Sequence, residues 1–232
     1  YGSSERGRPM SSMPAARAIV EAAAGIDDIG RPLSELPYYA ATDAVFDGAP
    51  LLIARTGYTG EDGFELYAPT AHATALWEAL SEAGAPHGMV PAGLAARDTL
   101  RLEAGMPLYG HELSLDILPV QAGLGRVVAL DKDDFVGKSA LQSIVAADAP
   151  VLVGLVAEGR RAGRAGYAVV APDGAVVGEV TSGALSPTLG HPVALAFVSP
   201  AHAEPGTELA IDVRGTAIPA TVTALPFYRR TT

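Results

Sequence analysis

The chain has 232 residues, of which 49% are hydrophobic and 18% charged, and its formal net charge is -10 at pH 7. This length buries a sizeable core and accommodates two small domains, and no apolar run is long enough to span a bilayer. The negative charge disfavours nonspecific nucleic-acid binding, which needs a cationic footprint. The absence of cysteine excludes disulfides, thiolate nucleophiles and cysteine-ligated metals and fits a reducing cytoplasm.

The first part of the chain predicts a disordered junction followed by a helix. Residues 1–13 are polar and glycine-bearing, and they carry no signal-peptide pattern. From Pro14, the run AARAIVEAAAG predicts a short helix that ends at Gly25.

Residues 34–57 predict a strand, a turn at Asp47-Gly48 and a second strand. Residues 51–55 and 64–68 are then expected to pair antiparallel across the loop of residues 57–63. This loop, GYTGEDG, holds three glycines that permit positive φ or close backbone approach. It has neither the Gly-Lys-Ser/Thr ending of a P-loop nor a strand-to-helix context, so phosphate binding is rejected.

A second helix is predicted after Pro69. Thr70 is the expected N-cap and Gly84 the expected stop. Trp77 falls on the apolar face of this helix, so we expect it in the core.

The run GLAARDTLRLEAG is helical by composition, but its charges leave no clean polar face. Arg97 and Arg101 form an i, i+4 like-charge pair, which is unfavourable unless each guanidinium has its own partner. Structural ion pairs among Asp98, Arg101 and Glu103 are the plain interpretation for those three residues. For Arg97 we favour a functional role.

In the second half of the chain, the sequence pattern changes from mixed helix and strand signals to short strands alone. Residues 126–130 predict a strand and residues 138–145 a short helix. From Val151 onwards, short β runs joined by turns at Asp173-Gly174 and Arg214-Gly215 predict a compact β-barrel. The five histidines show no ligand spacing, so no metal is predicted.

The motifs ARTGYTGEDGFE, GLAARDTLRLEAGMPLYGHELS, PVQAGLGRVVALDKDDFVGKSAL, TSGALSPTLG and HPVALAFV follow one another in order. Together they resemble the T-protein, the aminomethyltransferase of the glycine cleavage system, from about Leu36 to the end. The resemblance implies an α+β fold: a ferredoxin-like antiparallel sheet with helices plus a C-terminal β-barrel, both parts of a three-domain cloverleaf. We expect residues 14–147 to form the folate-binding α+β region and residues 148–232 the barrel domain, with residues 1–13 unassigned.

The resemblance also implies a site and its partners. Tetrahydrofolate is the expected co-substrate, and a lipoyl-bearing carrier, the H-protein, is the expected partner. By motif position, Glu65 accepts hydrogen bonds from the pterin edge, Arg97 offers a bidentate fork, and Tyr58 supplies an aromatic wall. Each has a plain alternative: Glu65 on an exposed strand face, Tyr58 as a packed loop residue, and Arg97 in a salt bridge near Asp98.

The implied reaction transfers the aminomethyl carbon of the lipoyl arm to tetrahydrofolate, with release of ammonia, in the cytoplasm. The family's catalytic aspartate is expected in an N-terminal portion that this sequence does not contain, so no catalytic residue is assigned. A folate-dependent demethylase module of the sarcosine or dimethylglycine type is the main alternative. A noncatalytic folate-binding protein of iron-sulfur assembly ranks last because its signature needs cysteine.

The C-terminal tail is open to two interpretations. Tyr228, Arg229 and Arg230 are expected either to fold back on the folate cavity or to fray, as chain ends commonly do.

Overall fold

A computed structural model describes residues 13–143 and 148–230 of the chain. The chain divides into two compact units. The first extends to Arg97 and includes Arg230, and the second comprises Asp98–Arg229. The predicted disordered junction falls on residues 1–13, of which residues 1–12 lie outside the described part.

The first unit combines a small antiparallel sheet with helices. Its regular elements are α1 (Met13–Ala22), β1 (Ile26–Asp27), β2 (Ala41–Phe46), β3 (Ala49–Ala54), β4 (Glu65–Tyr67) and α2 (Ala73–Gly84), with 3-10 turns at Thr70–His72 and Ala85–His87. Each strand pairs with its neighbour in chain order, β1-β2-β3-β4. The expected antiparallel sheet with helices is present. Its strands follow one another directly, whereas the ferredoxin-like pattern places helices between them.

The turn between β2 and β3 is confirmed. Asp47 and Gly48 both have positive φ, 47° and 77°, which is the combination of a type I′ hairpin turn. The expected antiparallel pairing across the glycine loop is also confirmed, because Ala54 pairs with Glu65 and Leu52 with Tyr67.

The core of the first unit lies beneath one face of this sheet. Alternate strand positions point inward, as a half-buried sheet requires. The buried cluster consists of Val20, Leu33, Leu36, Ala44, Phe46, Leu51, Ile53 and Leu76.

Two predictions for the second helix are wrong. Trp77 is 53% exposed and lies outside the core, because Leu76 takes the inward position on α2. The helix begins at Ala73, after the 3-10 turn Thr70–His72, and its N-cap residue His72 makes no side-chain capping hydrogen bond. Thr70 therefore does not cap α2, since the preceding 3-10 turn already occupies that position.

Helix α3 (Leu94–Glu103) is confirmed, and the chain passes from the first unit to the second within it. Residues 126–130 do not form a strand. Gly125–Val127 is a 3-10 turn held by local bonds from Val127 N to Leu124 O and from Val128 N to Gly125 O. The predicted strand does not form because these backbone groups make their hydrogen bonds within the turn rather than to a neighbouring strand. Helix α4 (Lys138–Ser143) confirms the next prediction up to Ser143, and residues 144 and 145 lie outside the described residues.

The β-barrel is confirmed. Its strands are β5 (Val151–Ala157), β6 (Ala168–Val170), β7 (Val176–Leu185), β8 (Pro192–Val198), β9 (Glu208–Asp212) and β10 (Ala217–Thr223). They close in the antiparallel order β10-β5-β8-β7-β6-β9. The turn residues Arg214 and Gly215 both have positive φ, and Gly174 has positive φ in the β6-β7 turn.

The barrel interior is filled by small and branched side chains, and Leu155, Val169, Val180 and Val198 are fully buried. Close strand approach depends on glycine at one point: a Cβ built on Gly178 falls 2.2 Å from the backbone oxygen of Phe197. No helix among the described residues is long and apolar enough to cross a membrane.

We predict that Gly178→Ala destabilises the barrel by about 1–3 kcal/mol, because the added methyl group collides with backbone rather than with a movable side chain. Chemical denaturation measures the change in the free energy of unfolding. Val176→Ala, on an exposed position of the same strand, is the matched control and is expected to change it by less than about 0.5 kcal/mol. Equal stability of the two variants would contradict the close approach.

Candidate functional site

The glycine-rich loop is closed at its base by the β3-β4 pairing. Because Ala54 lies opposite Glu65, residues 55–64 must leave the sheet and return to it. The segment contains Tyr58 and the charged residues Arg55 and Asp62.

An ion pair links Arg55, which lies just before the glycine-rich loop, to Asp62 near the end of the loop. Arg55 Nε and Nη2 each donate to Asp62, at 3.0 Å to Oδ1 and 3.0 Å to Oδ2. The remaining terminal nitrogen, Nη1, donates to the Leu36 carbonyl oxygen at 2.7 Å. The Asp62 side chain is 5% exposed, so this bidentate pair is shielded from solvent and more favourable than a surface pair.

Electrostatics in this cluster favour the charged carboxylate. Burial acts to raise the pKa of Asp62, but hydrogen bonds from Arg55 and Tyr38 and the charges of Arg55 and Arg230 outweigh it and lower the pKa below its ordinary value. The hydrogen bond with Asp62 raises the pKa of Arg55 in turn. Burial, and then the hydrogen bond to Asp62, raise the pKa of Tyr38, so its hydroxyl keeps its proton.

The structure brings two predicted site residues together. The guanidinium carbon of Arg97 lies 4.5 Å from the ring centroid of Tyr58, within cation-π range. Arg97 is exposed, and Tyr58 is partly buried. The alternative in which Arg97 pairs near Asp98 is not what forms, because Asp98 pairs with Arg101.

Glu65 opens β4 on the same hairpin. Its residue is exposed, and its carboxylate accepts a short hydrogen bond from the Thr56 hydroxyl. Thr56 follows β3 within the loop segment, so the bond described for Glu65 stays within the hairpin and involves neither Tyr58 nor Arg97. A solvent-facing carboxylate held by one hydroxyl retains acceptor capacity for a ligand.

The second arginine of α3 has a different environment. Arg101 is 1% exposed and pairs with the fully buried Glu112 at 3.1 Å and with Asp98, whose side chain is 54% exposed, at 2.6 Å. It also donates to Ser182 Oγ at 2.8 Å. The predicted Asp98–Arg101 ion pair is confirmed, as is the expectation that Arg97 and Arg101 need separate partners.

Glu103 forms no ion pair with any residue that the structure describes, contrary to prediction. Its buried carboxylate accepts hydrogen bonds from the Ser186 and Thr188 hydroxyls, the latter at 2.7 Å. Hydroxyl donors thus replace the expected cation. Sequence reasoning also missed Glu112 and Asp62. The sequence did carry a signal for Asp62, a carboxylate seven residues after Arg55 in a glycine-flanked loop, but it carried none for Glu112.

No group of three or more histidine, cysteine, aspartate and glutamate side chains that could hold a metal ion occurs within residues 13–143 and 148–230.

We predict that Asp62→Asn destabilises the first unit by about 1–3 kcal/mol at pH 7, because the hydrogen bonds from Arg55 lose their charged acceptor. The folded-state pKa of Asp62 is lowered, so its contribution is present above the unfolded-state pKa of about 3.9 and is lost as the pH falls through the folded-state value. The variant should therefore lose less stability than the parent between about pH 5 and pH 2.

Denaturation curves recorded across this pH range test the prediction. Asp43→Asn is the matched control because Asp43 is exposed on β2 and carries the same charge. Parallel pH profiles of the parent and Asp62→Asn would rule out the stabilising role of the carboxylate.

Two family models match the chain in sequence. The GCVT N-terminal domain matches residues 13–132, and the glycine cleavage T-protein C-terminal barrel domain matches residues 151–229. The second match covers the barrel strands β5 to β10. The first includes the hairpin loop, Glu65 and α3.

Curated relatives and a solved structure agree with these matches. The aminomethyltransferase of Streptomyces avermitilis is 61% identical over 204 residues, covering 85% of this chain and 55% of that protein. The aminomethyltransferase of Saccharopolyspora erythraea is 59% identical over 202 residues, covering 85% and 54%. The crystal structure of glycine cleavage system aminomethyltransferase T from Bartonella henselae superposes with a TM-score of 0.80 at 35% identity, covering 91% of this chain and 56% of that one.

The chain spans about half the length of the curated relatives it matches. The two family models, the curated relatives and the closed barrel all support the same family assignment. The chain belongs to the glycine cleavage T-protein family.

Proposed function

We propose that this chain provides the folate-recognition region and the barrel of an aminomethyltransferase that acts in the cytoplasm. The enzyme transfers the carbon of the S-aminomethyl-dihydrolipoyl arm of the H-protein to N5 and N10 of tetrahydrofolate, giving 5,10-methylenetetrahydrofolate and releasing ammonia and the dihydrolipoyl arm as its dithiol. We assign residues 14–147 to the folate-binding region and residues 148–232 to the barrel domain. The observation that carries the proposal is the Arg97–Tyr58 contact beside the hairpin that presents Glu65, in a chain of this family.

The chemistry of these three side chains suits the ligand. Tetrahydrofolate offers N-H donors and ring acceptors on its pterin edge. The Glu65 carboxylate accepts two parallel hydrogen bonds from such donors, and the Arg97 guanidinium donates to acceptors or carboxylates. Cation-π contact with Tyr58 uses the ring face and consumes none of the hydrogen-bond donors of Arg97. Tyr58 thereby orients the guanidinium and adds an aromatic wall.

Catalysis requires no covalent enzyme nucleophile. The residues of this chain bind and orient tetrahydrofolate, and the rate gain attributed to them is a proximity effect. A carboxylate beside the positive charge that develops on the transferred carbon would add electrostatic stabilisation. We assign that role to no residue of this chain, and no metal takes part in the proposed reaction.

Arg97→Ala is expected to weaken tetrahydrofolate binding about 10- to 100-fold, because a charged hydrogen bond contributes about 1.5–3 kcal/mol. The thermal transition should stay nearly unchanged, since Arg97 is exposed. Titration calorimetry and thermal denaturation measure the two quantities. Arg31→Ala removes an exposed arginine elsewhere in the same unit and serves as control. Equal loss of folding and binding in Arg97→Ala would make Arg97 structural.

Glu65→Gln is expected to reduce tetrahydrofolate affinity about tenfold or more, because the amide offers only one acceptor oxygen and adds a donor that faces the ligand's own donors. The same calorimetric titration measures it. Thr56→Val removes the hydroxyl that Glu65 accepts from and is expected to have a smaller effect. Unchanged affinity in Glu65→Gln would remove Glu65 from the site.

The reaction itself is tested by ammonia release from aminomethyl-loaded lipoyl carrier, with and without tetrahydrofolate. The assay compares this polypeptide with a form extended to the full length of its relatives. Folate-stimulated release by the longer form is the expected result, and silence from the shorter form would place an essential group outside this chain. If neither form responds to folate, the aminomethyltransferase proposal fails and demethylase coupling is tested next.

A further inference from the structure

Arg230, the last residue that the structure describes, contacts Tyr38. Tyr38 in turn contacts Arg55, the partner of Asp62 in the glycine-rich loop. Its guanidinium carbon lies 5.1 Å from the Tyr38 ring centroid, and that of Arg55 lies 4.7 Å from the same ring. Tyr38 therefore contacts two cations. Arg230 is therefore packed against Tyr38 rather than frayed, and it groups with the first unit together with the loop. Whether the tail of Tyr228, Arg229 and Arg230 reaches a folate cavity stays a prediction.

Hydrogen bonds continue this contact into the loop. The Tyr38 hydroxyl accepts from Arg230 and donates to Asp62, which is also held by Arg55. The sequence of bonds runs from Arg230 through Tyr38 to Asp62, a residue of the loop itself.

Charge balance favours this arrangement. Arg230 Nη1 is buried without a hydrogen-bond partner among the described residues, which is unfavourable for a cation unless an opposite charge lies nearby. Asp62 supplies that charge, since Arg230 acts on its carboxylate electrostatically. Arg230 is thus held by contact with Tyr38 and by the charge of Asp62.

We propose that Arg230 and Tyr38 position the glycine-rich loop and thereby hold Tyr58 against Arg97. Asp62 follows Tyr58 by four residues, and Gly57, Gly60 and Gly63 give the intervening backbone unusual freedom. Fixing Asp62 removes much of that freedom. Arg230 is therefore a positioning residue that acts on the site through Tyr38 and Asp62.

The expected effect on tetrahydrofolate affinity rests on the proposed function, whereas the expected effect on the position of the Tyr58 ring does not. The experiment therefore reads both. The chain is labelled with 3-fluorotyrosine, and the ¹⁹F resonance of Tyr58 is assigned through Tyr58→Phe. Arg230→Ala and Tyr38→Phe are expected to move this resonance, and Arg230→Lys to restore most of its position by keeping the cation. Arg229→Ala, which removes the exposed neighbouring arginine, should leave it unchanged.

Tetrahydrofolate affinity is then measured on the same proteins, unlabelled. Arg230→Ala should weaken it roughly three- to thirty-fold, the range for residues that act on a site through others. An unmoved Tyr58 resonance in Arg230→Ala overturns the inference, even if its unfolding temperature falls, because the contact is then only structural. A moved resonance with unchanged affinity upholds the positioning role and removes Tyr58 from the folate site. If the parent chain does not bind tetrahydrofolate, the proposed function fails while the ¹⁹F result still decides the inference.

Discussion

The bidentate ion pair between Arg55 and Asp62 is the constraint on which the candidate site depends. A loop with three glycines loses more backbone entropy on ordering than one built from other residues. Strand pairing fixes only its base, where Ala54 meets Glu65. The ion pair adds a second closure inside the loop, and low solvent exposure keeps it from being screened. The strand pairing and the ion pair thus restrain the loop on both sides of Tyr58.

Helix α3 places its two arginines, Arg97 and Arg101, in different environments. A buried guanidinium must be paired and hydrogen-bonded to offset its desolvation, and Arg101 meets this demand with two carboxylates and Ser182. Asp98 and Glu112 both pair with Arg101. Arg97, one turn earlier, contacts a ring face and is exposed. Arg97 is accessible to a ligand because it is exposed, whereas Arg101 is not, because it is buried and paired with carboxylates.

The sequence predicted those features that depend on local chemistry. The Asp47-Gly48 turn, the pairing across the glycine loop and the barrel strands follow from turn residues and alternation. The need for separate arginine partners on α3 followed from helical spacing alone. The failures concern partners distant in sequence. Trp77 lost its core position to its neighbour Leu76. The Ser186 and Thr188 hydroxyls replaced the cation expected at Glu103, and no local pattern distinguishes these arrangements.

Exposure of the recognition groups bears on how the site gains affinity. Hydrogen bonds that Glu65 accepts from a ligand and that Arg97 donates to it replace bonds to water, so their net contribution depends on how far both groups are desolvated on binding. The same bonds strengthen when solvent is excluded and the effective dielectric constant falls. In the proposed site, the hairpin and helix α3 would specify which edge of the ligand is bound, and exclusion of solvent around the ligand would strengthen the same bonds.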